Sequence, residues 1–245
     1  MAWYAYCITE QGTFQQARVR RPFPIDQLKG LNGLPVMGYP SGEFVVVVSE
    51  MVAGSPLTQE SMFDHARVVS DCFKLATVLP FRFGTIFDTD EALRHSVRSN
   101  KRNFSESVSK LKGKSEMHLK LVVKVDGSIA EAVMDSSELP RVGGEYLTRL
   151  REKASRDRER QSKARALSVQ VHKLFNPLQE EVVCKKNNAG IVIDIAHLID
   201  SGSVEKYQNR YSTAMRHFKD CQISLTGPWP PYHFVSERKR AGGSN

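Results

Sequence analysis

Thr77-Val78-Leu79-Pro80-Phe81-Arg82-Phe83-Gly84-Thr85-Ile86-Phe87 is an apolar, aromatic run that carries one arginine. Pro80 fixes φ and removes a ladder donor, so the run reads as a bent or edge strand and not as a central one. Gly84 supplies the backbone freedom that turns the chain away. Helical patterns enter and leave the stretch, which makes it the floor between two helices. Alternation sets Arg82 opposite Leu79, Phe81 and Phe83, so it is either solvated or paired with a carboxylate from a neighbouring helix. No phosphate-cradling glycine loop accompanies it, which favours a structural ion pair over anion binding.

Upstream, residues 2–9 alternate Trp3, Ala5, Cys7 with Tyr4, Tyr6, Ile8, and their aromatic richness predicts a strand. Residues 20–42 hold four prolines and four glycines and read as a connecting loop with little regular structure. Phe44-Val45-Val46-Val47-Val48 has no alternation, as expected of a strand covered on both faces. Thr58 follows Pro56 as a helix N-cap. Met62, Ala66, Val69, Phe73 and Ala76 then predict the apolar face of a helix, with His65 beside it. A histidine there reads as a hydrogen-bonded structural residue. Downstream, Asp88 with Glu91 suggests a capping box. Leu93, Val97, Phe104, Val108 and Leu111 predict one helix interrupted at Asn100.

Lys112-Gly113-Lys114 breaks that helix, and a second unit begins. Leu119, Leu121, Val123 and Val125 alternate with Lys120 and Lys124, a strand with one core face and one wet face. After an acidic loop at 126–140, a helix runs from Gly143 to about Phe175. It is apolar at its start (Tyr146, Leu147, Leu150, Ala154) and at its end, and polar all round between. Pro177 ends it. Val182–Cys184 and Ile191–Ile195 flank Lys186-Asn187-Asn188-Ala189, a hairpin signal. A helical stripe (Val204, Tyr207, Tyr211, Met215, Phe218) and a strand (Cys221, Ile223, Leu225) follow. The order β-α-β-β-α-β predicts a ferredoxin-like antiparallel sheet. Thr226-Gly227-Pro228-Trp229-Pro230-Pro231-Tyr232-His233-Phe234 is extended by its prolines and either staples the chain end down or presents aromatics to a partner. Residues 236–245 read as a disordered basic tail.

The 245 residues are 40% hydrophobic and 25% charged, the balance of a globular protein of one or two domains. No run approaches the roughly 18 apolar residues that would span a bilayer. The N-terminal residues lack a basic leader and read as a first strand, not a signal peptide. The four cysteines are far apart in sequence and fit reduced thiols of a cytoplasmic protein. The net charge of +8 is concentrated, because residues 149–165 hold eight Lys or Arg against three acids. That segment motivates a binding module for nucleic acid or an acidic protein. The candidate strands carry no aromatic on which a base would stack, which argues against sequence-specific RNA reading. No phosphate-binding loop, nucleophile elbow or paired metal-ligand motif occurs, so no catalytic residue, cofactor or metal site is expected.

The chain resembles the gas vesicle protein F/L family. The likeness rests on Leu28-Lys29-Gly30-Leu31-Asn32-Gly33-Leu34-Pro35-Val36, the Phe44–Ser49 strand, His65-Ala66-Arg67-Val68-Val69, the Thr77–Phe87 stretch and Leu111-Lys112-Gly113 with Glu116. Gly144-Glu145-Tyr146-Leu147 and the Thr226–Phe234 signature complete it. The resemblance implies a non-enzymatic accessory protein of gas vesicle organisation, cytoplasmic or on the vesicle. It would act as an assembly chaperone or minor structural component through contacts with the hydrophobic shell protein and other accessory proteins; the residue reading adds no membrane partner and disfavours nucleic acid, which stays the alternative. The expected architecture is α+β with two α/β domains. They are an N-terminal domain at 1–112 and a ferredoxin-like domain at 113–235 with the basic helix at about 143–175 and an extended Pro-rich C-terminal tail. Structural or interaction roles fall on His65, Pro80, Arg82, Phe83, Gly84, Tyr146, Trp229, Pro230 and Tyr232.

Overall fold

The computed structural model describes residues 2–11, 25–52, 54–124, 143–187, 190–218 and 221–235. The acidic loop read at 126–140, the hairpin tip at 188–189 and the tail at 236–245 fall outside the described residues. The chain divides into two compact units, Met1–Glu116 with Trp229–Asn245, and Met117–Pro228. The closing signature from Trp229 onward thus groups with the first unit, whereas the sequence reading kept 113–235 together.

The first unit contains β1 (Ala2–Glu10), β2 (Met37–Ser41), β3 (Phe44–Met51), α1 (Gln59–Phe73), β4 (Leu79–Pro80), β5 (Ile86–Phe87), α2 (Asp90–Ser99) and α3 (Lys101–Leu111). Its sheet runs β2-β3-β1-β4, with β5 also on β1, and the pairs are antiparallel. Ala2 to Thr9 of β1 are all buried, because helices cover both faces of the sheet. Tyr4 meets His65 of α1 on one face, and Trp3 Nε1–H donates to Asp90 of α2 on the other. Phe104 of α3 packs edge-on against Phe44 and Phe81. A bulge between Ala5 and Cys7 interrupts the alternation, so Tyr6 and Cys7 both join the cluster formed with Val68, Val69 and Cys72. The Thr77–Phe87 stretch is a broken edge strand: β4 and β5 each pair with β1, and Gly84 between them has φ +83°.

Several local expectations change. The 20–42 region contains β2, paired along β3 from Met37↔Val48 to Ser41↔Phe44, and two single-turn 3-10 helices. Thr58 does cap α1, in a capping box with Ser61. The buried face of α1 is Ser61, His65, Val68, Val69 and Cys72, while Met62 is 45% exposed and Ala66 is exposed. Val69 is shared by the expected and the buried face, and Phe73 packs against the same cluster. Thr89, not Asp88, caps α2 by accepting from the Ala92 N–H. Asn100 separates α2 from α3, with φ −107° and ψ 10°. The alternation across 79–83 fails as well, since Leu79, Pro80 and Phe81 are buried whereas Arg82 and Phe83 are exposed.

The second unit holds most of β6 (Lys114–Lys124), then α4 (Gly143–Phe175), β7 (Gln179–Asn187), β8 (Gly190–Asp200), α5 (Val204–His217) and β9 (Cys221–Trp229). Its four strands lie in the order β7-β8-β6-β9. β7 and β8 pair in register from Gln179↔Leu198 to Asn187↔Gly190, which leaves a two-residue connection. Met117, Leu119 and Leu121 form the inner face of β6 and pack with Ile193, Ile195, Val171, Phe175 and Tyr207, while Lys120 is exposed. The polar middle of α4 also has an inward side: Ala164 is buried in the same cluster, between exposed Lys163 and Arg165. In α5, Ala214 takes the buried place expected for Met215, which is 52% exposed. No helix among the described residues is long and apolar enough to cross a membrane.

Candidate functional site

The Thr77–Phe87 stretch, α1 and β1 converge on a buried group of polar side chains. The Gly84 N–H donates to Tyr4 Oη at 3.2 Å, and Tyr4 Oη lies 2.8 Å from His65 Nδ1. His65 Nε2 lies 3.2 Å from the Phe81 carbonyl oxygen. A carbonyl only accepts, so Nε2 carries the proton, Nδ1 accepts, and the Tyr4 hydroxyl donates to it. Burial of the ring lowers the His65 pKa to about 4, against a partial offset from the Phe81 carbonyl. Burial also pushes the Tyr4 hydroxyl up to about 12. Both groups are therefore neutral at pH 7. Phe83 closes the outer side, its ring edge-on to His65 at 5.9 Å and to Tyr4 at 6.4 Å.

A second relay runs parallel to the first. The Leu31 N–H donates to Tyr6 Oη at 2.9 Å. Tyr6 Oη is 2.9 Å from Ser49 Oγ, and Ser49 Oγ–H donates to the Pro35 carbonyl at 2.7 Å. The single serine proton is committed to Pro35, so the Tyr6 hydroxyl donates to Ser49. Each relay thus begins at a backbone N–H, passes through a β1 tyrosine, and ends at a backbone carbonyl of the same loop. One clamps residues 81–84 and the other clamps residues 31–35. Gly30 is required by this packing: a Cβ there would sit 2.1 Å from Tyr6 Oη and 2.5 Å from Ser49 Oγ.

The closing signature is held differently. Glu116, fully buried, accepts from the His233 N–H at 2.8 Å through Oε2, and its Oε1 lies 2.7 Å from His233 Nδ1. Pro230, Pro231 and Phe234 are buried, whereas Trp229 and Tyr232 remain 39% and 38% exposed.

In the second unit, His197 of β8 is buried with Nδ1 2.6 Å from Tyr207 Oη and Nε2 2.7 Å from Glu180 Oε2. Burial lowers its pKa, while the Glu180 carboxylate acts in the opposite direction. His172 Nδ1 also approaches Glu180 Oε2, at 3.3 Å.

Of the residues singled out from sequence, His65, Phe83 and Gly84 come together around Tyr4. Pro80 is buried in β4, and Arg82 is exposed on the turn that follows. Tyr146 lies in the first turns of α4, and its side chain falls outside the described residues. Sequence reasoning missed Tyr4, Tyr6 and Ser49. The signal was present: two tyrosines in a strand buried on both faces bring two hydroxyls that need partners. His197, Tyr207 and Glu180 were missed because they lie on three different elements. Among the described residues, no buried side-chain nitrogen or oxygen lacks a hydrogen-bond partner. The relays are clamps whose two ends hold backbone and whose middle bonds join side chains.

The comparisons with known proteins agree with one another. The family model of gas vesicle synthesis protein GvpL/GvpF matches residues 2–236. Gas vesicle protein L of Streptomyces sp. (strain CB03234) is 24% identical, covering 89% of this chain and 90% of that protein. Gas vesicle protein F1 of Halobacterium salinarum is 21% identical, covering 77% and 76%. The crystal structures of GvpF from Anabaena sp. PCC7120 and from Microcystis aeruginosa share the fold, with TM-scores of 0.72 and 0.71 at 19% and 18% identity. They cover 97% and 96% of this chain and 99% of each of those chains. The two relays therefore clamp the 28–36 and 77–87 motifs of a member of the gas vesicle synthesis protein GvpL/GvpF family.

Proposed function

We propose that the protein is a non-enzymatic assembly factor of gas vesicles that covers the hydrophobic shell protein before it is incorporated into the wall. The family match across residues 2–236 carries this reading. A protein that polymerises into a gas-filled shell exposes apolar surface and strand edges before assembly, and such surface needs temporary cover. Suitable surface is available on the first unit: Phe63 is 62% exposed and Met62 45% on the early turns of α1, and Phe83 is 39% exposed. Trp229 and Tyr232 add exposed aromatic surface on the closing segment. The fully partnered relays, anchored on backbone at both ends, support a structural role for His65, Phe83 and Gly84 in place of a catalytic one. Other accessory proteins of the vesicle are further partners under this reading, with the protein acting in the cytoplasm or at the vesicle surface.

The second domain is read as ferredoxin-like. Its element order, β-α-β-β-α-β, and its strand order, β7-β8-β6-β9, support that arrangement. The two domains divide at residues 113–117, and the Pro-rich ending is read as an extended staple held by Glu116.

Co-expression of the tagged full chain with the host's shell protein, followed by nuclease treatment, tests the assembly reading. The expected result is a complex that survives nuclease and moderate salt. Recovery of a salt-sensitive polyanion without shell protein would instead favour the exposed basic residues of α4, among them Arg151, Arg158, Lys163 and Arg165.

A further inference from the structure

β7 lies at one end of the second sheet, so one side of its backbone is unpaired among the described residues. Proteins blunt such edges with proline, irregularity, shortness or charged side chains. Three other edge strands carry a proline: Pro40 in β2, Pro80 in β4 and Pro228 in β9, while β5 is only two residues long. β7 has nine residues, Gln179-Glu180-Glu181-Val182-Val183-Cys184-Lys185-Lys186-Asn187, and no proline. It is charged, but the sign reverses at its centre. Acids stand two and three residues before Val183, and lysines stand two and three residues after it. A single-sign edge repels its own copy, whereas this one is complementary to it.

We infer that the free edge of β7 is the docking site for β7 of a second copy of this chain, in an antiparallel pair centred on Val183. In that register Glu181 faces position 185 of the second copy, Glu180 faces 186, Val182 faces 184, and Val183 faces itself. The arrangement is isologous and closes as a two-fold dimer that joins two four-stranded sheets into one of eight strands. The exposures agree with it. Val183 is a 40% exposed valine in mid-strand, and pairing with its own copy covers it. Glu181 is exposed on the same face as Val183, by the alternation of the strand. Val182 and Glu180 point to the other face, where Val182 packs on the core and Glu180 holds His197. Glu181, exposed and outside these core contacts, is therefore placed to select the partner, opposite position 185 of the second copy.

Sedimentation of the full chain over a range of concentrations tests the inference. The wild type is expected to form a reversible dimer. Glu181→Lys and Lys185→Glu are each expected to weaken it by about tenfold or more, because each substitution sets like charges opposite one another twice in a two-fold pair. Both substitutions on one chain, or an equimolar mixture of the two single variants, restore opposite charges and are expected to restore dimerisation. Melting curves matching the wild type confirm that the variants remain folded. A wild type that stays monomeric overturns the inference. So does a dimer that the single variants leave unchanged, or a double variant as weak as the singles.

Discussion

Each compact unit buries one histidine against a tyrosine hydroxyl, and the two pairs differ in what faces the second ring nitrogen. In the first unit, Nε2 of His65 meets the Phe81 carbonyl, a neutral acceptor. In the second, Nε2 of His197 meets the Glu180 carboxylate. Burial disfavours the imidazolium in both. Only at His197 does an opposing charge work against that penalty. The first pair is thus a clamp that tolerates one protonation state. In the second, a local charge offsets part of the burial effect. The location of each pair fits the difference. His65 holds backbone loops against a fully buried strand, whereas Glu180 sits on an edge strand within reach of a half-exposed His172.

The comparison is open to perturbation, beginning where the effect is largest. His65→Ala removes two buried hydrogen bonds and leaves a void among Tyr4, Tyr6 and Phe83, and is expected to cost about 3–4 kcal/mol by thermal melt. Gly30→Ala forces a Cβ onto the Tyr6–Ser49 pair and is expected to cost about 2–3 kcal/mol, with the 31–35 loop losing hydrogen-exchange protection. Acid gives the next contrast. Folded His65 titrates at about 4, whereas an unfolded histidine titrates near 6.5. The unfolded state therefore binds more protons between these values, so the stabilisation present above pH 6.5 is lost as pH falls towards 4. The full loss is about 3 kcal/mol. His65→Gln should flatten that part of a stability–pH curve. Glu180→Gln should steepen it, because His197 loses the charge that opposes its lowered pKa; its cost at pH 7 is expected to be about 1–2 kcal/mol. A flat response in Glu180→Gln would show that the carboxylate does not bias His197. Arg82→Ala, at an exposed turn, is expected to change stability by less than about 0.5 kcal/mol.

Much of this architecture was legible in the chain. Pro80 and Gly84 marked a broken edge strand because their backbone restrictions act locally, and Thr58 marked a helix start for the same reason. The β-α-β-β-α-β order followed from hydrophobic period together with local breaks at Gly113, Pro177 and the Asn187-Asn188 turn. What was not legible depended on partners distant in sequence. The face that α1 buries was misread because His65 and Ser61, both polar, go inward to meet β1 while Met62 and Phe63 stay outside. β2 was hidden by Pro40 and Gly38, which an edge strand tolerates and a central strand does not. The pairing of Tyr4 with Gly84 spans 80 residues, and no local pattern reports it. Met62 and Phe63 illustrate the functional side of the same point. An apolar residue that a helix leaves exposed looks in sequence like one that it buries.

A buried network around Tyr4 and Tyr6 holds the fold, and the exposed apolar residues Met62 and Phe63 are the ones proposed to meet the shell protein. Light scattering of purified shell protein, with the full chain added, tests this most directly when wild type is compared with a Met62→Ser, Phe63→Ser double variant. The account predicts that wild type suppresses aggregation, and that the double variant keeps a near-wild-type melt while losing most of the suppression. A folded double variant that suppresses aggregation as well as wild type would contradict it.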